Sequence, residues 1–217
     1  MYSANESAEE EEQLSGGEVA LSLVVALGLF VLLFIVLPNV IVAFIQKRIS
    51  SVILVNLIEG ALRVAIFIVY LVTISQMRDI QRVFAYHGAE HKTIAAWEAG
   101  EALTVANARR HGTAHARCGT NFLLIVMLVS VLIYSLLGRQ GLVERIVTRI
   151  LLLPVLAGVS YELLKIAGRP DPSPIVKWAR APGLALQRLT TREPDDSMLE
   201  VAIVSLQAVI EKDEAVN

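Results

Sequence analysis

Val19–Leu37 reads VALSLVVALGLFVLLFIVL, with no charged residue, and the apolar run continues past Pro38 and Asn39 to Ile45. At about 1.5 Å per helical residue, such a run crosses the roughly 30 Å hydrocarbon core of a bilayer. Its proline lies near the end, where a membrane helix tolerates one. Gln46, Lys47 and Arg48 then close it. This stretch decides the fold class: an all-α membrane protein. Composition agrees, with 55% hydrophobic and 18% charged residues, because the apolar excess falls in blocks. Mean hydropathy is +0.60.

Upstream, Met1–Glu18 carries Glu6, Glu9, Glu10, Glu11, Glu12 and Glu18 and no Lys or Arg. A secretory signal needs a basic start, so residues 1–18 are expected to be an acidic, disordered tail. The formal net charge of -2 gives no ground for a nucleic-acid partner. The lone Cys118 excludes an intramolecular disulfide.

Downstream, Val52–Met77 is long enough for a second span, interrupted by Glu59 and Arg63. Four residues apart, these share a helix face and can pair. Charges within a span face a bundle interior or a wet cavity, as a structural pair or as part of a functional site. Residues 19–77 thus form a first transmembrane pair. Residues 78–120 are polar and hold all four histidines and Cys118, with a helix expected over Asp79–Ala99. Asn121–Leu137 is the third span. Ile146–Gly168 is the fourth and weakest, because its uncharged core runs only from Ile150 to Tyr161 between Arg149 and Glu162. Residues 121–168 are therefore a second pair, giving about four transmembrane helices.

Residues 169–217 are expected to begin as a linker, since Pro170, Pro172 and Pro174 oppose regular helix. An amphipathic helix follows from Asp195, with Leu199, Ile203, Leu206 and Ile210 as a stripe that packs on the protein. Asp195 and Asp196 suit its positive N-terminal end. Counting Lys and Arg in the short loops puts both termini and residues 78–120 in the cytoplasm.

Within the polar segment, Tyr86–Thr93 reads YHGAEHKT. His87 and His91, one helical turn apart, can hold one metal ion. Glu90 is placed to be a further ligand or a general base on an activated water. His-x-x-Glu-His is also the inverted zinc-peptidase pattern. His111, His115 and Cys118 end the same segment, and imidazole with thiolate favours zinc over magnesium. His87, His91, His115 and Cys118 together would make a closed structural site. Three protein ligands with Glu90 as base would make a catalytic one. The residues leave both open. There is no Gly-x-Ser-x-Gly elbow and no Walker loop. Ser22, Ser130 and Ser160 read as packing residues in apolar helices.

The stretch Arg82–Thr93, RVFAYHGAEHKT, closely resembles the signature of the YqhQ-like bacterial membrane proteins, as does His115–Thr120, HARCGT. Glu59-Gly60 with Arg63, Leu153-Pro154-Val155, Ser160-Tyr161-Glu162 and Leu186–Pro194 extend the match. The resemblance implies a multi-pass protein of the bacterial cytoplasmic membrane, in a family labelled a predicted metal-dependent enzyme. Residue by residue, it implies a site of His87, Glu90, His91, His115 and Cys118, with a membrane polar set of Glu59, Arg63 and Glu162. His111 falls outside its motifs. The chain departs at Ala116, where proline is usual, and in lacking the soluble region that usually precedes the first span.

The leading functional expectation is a metal-dependent membrane enzyme of hydrolytic type, with a divalent metal, zinc, on His87, His91, His115 and Cys118, and Glu90 activating water. The alternatives are a non-enzymatic assembly protein with a structural metal site, or a small transporter using Glu59, Arg63 and Glu162. The expected partners are the lipid bilayer and a protein bound through the C-terminal helix or a separately encoded N-terminal region.

Overall fold

A computed structural model describes residues 15–138, 140–169 and 173–216. All regular structure among them is helical: α1 (Gly16–Arg48), α2 (Val52–Ile74), α3 (Arg78–Glu98), α4 (Val105–Arg109), α5 (Gly119–Ser135), α6 (Leu142–Ala167), α7 (Pro174–Thr190) and α8 (Asp196–Val216). Most of the acidic tail, 1–14, lies outside the described residues. Its last part is ordered as a helix start, where the Ser15 hydroxyl accepts from the Glu18 amide and Glu18 accepts from the Ser15 amide. This reciprocal cap satisfies two otherwise orphaned N–H groups.

α1, α2 and residues 143–167 of α6 are long and apolar enough to cross a membrane. The most apolar window of α1 is nowhere buried against the rest of the chain. Leu21, Leu23, Val24 and Leu27 are each about two-thirds exposed, a continuous apolar surface that water does not favour. Ahead of Pro38, the helix widens by one residue over Leu32–Val36, and the Leu37 amide donates to Leu32. The wider turn accommodates the proline ring, which lacks an N–H and would crowd the preceding carbonyl. Asn39 donates from Nδ2 to the Ile35 carbonyl in that turn (2.6 Å).

The expected ranking of the second pair is reversed. α5, read as the third span, has 17 residues, about 25 Å of helix, and falls short of the hydrocarbon thickness. α6, read as the weakest, is one helix of 26 residues. Arg145 and Arg149 cut its apolar run in the sequence, but both are buried against the bundle, at 6% and 7% exposure. Paired charges do not end a membrane-length helix.

The Pro-rich region is a second correction. Pro170 and Pro172 lie outside the described residues, but Pro174 opens α7 at its first turn, behind a Ser173 hydroxyl cap. Proline is favoured there because that N–H has no helical partner anyway. α7 packs on α5, α6 and α2. Gly183 makes the approach to α5 close, since a Cβ there would meet the Asn121 side chain.

Two bodies of contact result. α2 packs on α1, α5 and α7 around Phe67, Leu71 and Leu186, and α5 packs on α6 around Val129, Tyr134 and Leu156. The polar unit is α3, α4 and α8 around Ala89, Ala108 and Leu199. As expected, Leu199 and Ile203 are buried, while Leu206 and Ile210 are partly covered. Asp195 accepts from the Met198 amide (3.0 Å) and caps α8. The segment from Thr191 to Pro194 joins the two bodies and lies directly on α3. There the Arg192 amide donates to the Phe84 carbonyl (2.9 Å), and a Cβ on Gly88 would collide with the Arg192 carbonyl oxygen.

Candidate metal centre

The site lies where the polar unit meets the end of the apolar bundle. α3 supplies His87 and His91, one turn apart, and Cys118 is the N-cap of α5. One donor atom from each of the three lies within 4.8 Å of the other two. The ring centroids of His87 and His91 are 4.3 Å apart, and His87 Nε2 is 3.2 Å from Cys118 Sγ.

The backbone fixes which nitrogen each ring offers. His87 Nδ1 is 2.7 Å from the Thr190 carbonyl, and His91 Nδ1 is 2.6 Å from the Thr113 carbonyl. A carbonyl only accepts, so both Nδ1 atoms carry a proton and donate it. Nε2 is thereby the nitrogen that each ring turns toward the sulfur, donating a proton to it while the ring is charged and offering a lone pair once that proton is released. Histidine ligands of metals are oriented by this same second contact.

Burial pushes the Cys118 thiol up, but contacts with His87 and His91 and the Thr120 amide outweigh it, bringing it down to about 5. The Thr120 amide lies 3.3 Å from Sγ, and the positive start of α5 favours a thiolate. His87 is raised in turn, chiefly by its bond to Cys118 against the cost of burial. At neutral pH the sulfur is therefore an anion. Two oriented imidazoles and one thiolate are a donor set suited to zinc, so the residues present fit that group.

His115 stands beside this set rather than in it. Its ring is 5.7 Å from that of His91, but its Nε2 lies on Glu98 Oε2 at 3.2 Å. Glu98 also pairs with Arg117. Together with the exposed Glu90, these residues line an open cavity of about 280 Å³ over His87, His91 and Cys118. Glu90 thus borders the cavity without belonging to the cluster of three. His111 pairs with Glu101 at 3.2 Å, away from the cluster.

Residues of α7 and its exit hold the site together, and spacing gave no sign of them. Gln187 is fully buried. Its Oε1 accepts from the His115 amide and its Nε2 donates to the His115 carbonyl, both at 2.8 Å. Lys92, 4% exposed, donates to the carbonyls of Arg109 and His111 and pairs with Glu193 at 2.7 Å. Asn121 donates to the Ala116 carbonyl (2.9 Å). The available signal was the polar string from Gln187 to Glu193 beside apolar helices.

The membrane polar set is corrected as well. Glu59 and Arg63 pair at 2.7 Å as expected. Glu162 is exposed and does not join them. Arg149 takes its place, 2.5 Å from Glu59 Oε1 and 2.7 Å from Oε2, with Arg145 at 3.8 Å.

Fold and site together define, among the described residues, an all-helical protein with three membrane-length apolar helices and a His/His/Cys cluster at the end of the bundle. The chain belongs to the family described as "Protein of unknown function (DUF1385)", which matches residues 1–212. It is similar to the "Uncharacterized protein YqhQ" of Bacillus subtilis (strain 168), at 36% identity over 214 residues, covering 96% of this chain and 67% of that protein. No solved structure matches it.

Proposed function

We propose that the chain is a zinc-dependent membrane hydrolase whose metal ligands are His87, His91 and Cys118. The observation that carries this reading is the convergence of two Nε2 atoms and one thiolate beneath an open cavity. Three protein donors with an open side are the pattern of a catalytic site, whereas a structural site is closed by four. With His115 turned to Glu98, the closed set favoured by a purely structural role lacks its fourth member.

A bound zinc supplies Lewis acidity toward a carbonyl or phosphoryl oxygen. The chain's own residues do the rest. Thr190 and Thr113 hold the two rings in one tautomer through their carbonyls. Glu90, on the cavity wall, takes a proton from an attacking water. His115 and Glu98 form a second proton-handling pair at the rim, and Arg117 faces an anionic part of the substrate.

The reading includes four crossings, with the short α5 sheltered among α2, α6 and α7. It places the protein in the bacterial cytoplasmic membrane, with both termini and the metal centre on the cytoplasmic side, supported by the Lys and Arg distribution. A protein partner belongs to the same proposal.

The test is a panel of ester, phosphoester and peptide substrates offered to zinc-loaded protein and to Glu90→Gln. The expected result is turnover by the first and a loss of about 10²–10⁴-fold in the second, with metal content unchanged. Metal lost together with activity would make Glu90 a ligand, and equal turnover would remove it from the chemistry.

A further inference from the structure

Away from the metal centre, the apolar bundle holds an unbalanced charge cluster. Among the described residues, Arg63, Arg145 and Arg149 converge on the single carboxylate of Glu59, an excess of two positive charges (three minus one). Their side chains are 13%, 8% and 8% exposed, and Glu59 is 2% exposed. The neutral contacts are known. Asn39 Oδ1 accepts from Arg149, Gln46 Oε1 accepts from Arg145 at 3.0 Å, and the Tyr134 ring lies 4.9 Å from Arg149 and 5.7 Å from Arg63. These leave the Nε atoms of Arg63 and Arg149 buried without a partner. Burying unmatched guanidinium charge and unmet N–H groups in an apolar bundle costs several kcal/mol. An anion at the cluster removes both costs.

The space beside the cluster has a matching shape. Arg63 and Arg149 form the polar end of a cavity of about 170 Å³ whose other walls include Phe30, Phe34, Met127 and Leu153. Leu153 is half exposed on the outer surface of α6, so the cavity opens where lipid chains would lie. A small inorganic anion would satisfy the arginines and leave the apolar walls empty. We propose that this cavity binds an anionic lipid, its phosphate on Arg63 and Arg149 and its chain against Phe30, Phe34 and Leu153. Tyr134, beside the arginines, follows Cys118 by about 24 Å along α5, so the site is separate from the metal centre and does not depend on it.

The test is native mass spectrometry of the full chain released from nanodiscs of mixed phosphatidylglycerol and phosphatidylcholine. Wild type should retain one phosphatidylglycerol with about tenfold preference. Arg63→Met keeps Glu59 paired with Arg149 and should bring the preference near parity; an unchanged preference overturns the site. Leu153→Trp, on the lipid-facing wall, decides the case if Arg63→Met does not fold: lost retention supports the proposal and full retention overturns it. A parallel arm adds inorganic phosphate to protein in phosphatidylcholine alone. No rise in melting temperature is expected. A rise that Arg63→Met abolishes would assign the site to a free anion and overturn the lipid.

Discussion

At the seam between the two bodies, metal-ligating atoms converge: two Nε2 atoms whose rings are held by backbone carbonyls, and a cysteine sulfur. Inside the apolar bundle, three guanidinium groups converge on one carboxylate, and among the described residues the Nε–H groups of two of them have no acceptor. Both clusters are largely buried, yet they call for opposite ligands. The first is short of a cation and the second is short of an anion. Counting donors and acceptors around each buried group reveals this, whereas listing residue types does not, because both clusters are simply polar residues near apolar helices.

Three experiments sharpen or break the contrast. The largest effect is expected at Cys118 in metal-free protein. Its folded-state value is about 5, against an ordinary 9.0, so iodoacetamide labelling should be half-maximal near pH 5. The stability it contributes is full above about pH 9, shrinks as pH falls, and is gone below about 5. His87→Ala should move the labelling midpoint upward; a wild-type midpoint near 9 would deny that the seam holds an anion.

Next is Glu59→Gln. It strips the arginines of the one carboxylate they meet among the described residues and should cost about 3–5 kcal/mol, measured as denaturant or thermal unfolding in detergent. A change within experimental error would mean that the bundle tolerates unpaired guanidinium groups, and the anion argument would weaken with it.

Gly88→Ala should have a smaller effect, about 1–3 kcal/mol. The added Cβ meets the Arg192 carbonyl oxygen, which is backbone and moves only with the whole segment. Because Thr190 lies just before that segment and holds His87, metal affinity should fall along with stability. A stable variant with full metal affinity would show that the two bodies dock independently of the site.

The apolar helices were legible because their signal is local: a long run without charge allows few other outcomes. The i, i+4 pairs were legible for the same reason. Helical periodicity aligns His87 with His91 and Glu59 with Arg63 whatever the tertiary fold. Cys118 was found only because it was the lone thiol near the histidines. What spacing did not reveal depends on contacts across the chain. Arg149 read as a charge that shortened the uncharged core of the fourth span, until its pairing with Glu59, 90 positions away, made it interior. Gln187 clamps His115 across 72 positions. Glu162 shares a helix with Arg149 but faces outward, and Pro174 starts a helix instead of preventing one. His115 was a plausible ligand by type, but its nearest carboxylate, Glu98, engages its Nε2.

The central claim is tested most directly by elemental analysis of the purified, detergent-solubilised chain beside a His87→Ala/His91→Ala double variant. The account predicts close to one zinc per chain in the wild type and none in a double variant that remains helical. A well-folded wild type that binds no metal, even after incubation with zinc, would contradict it.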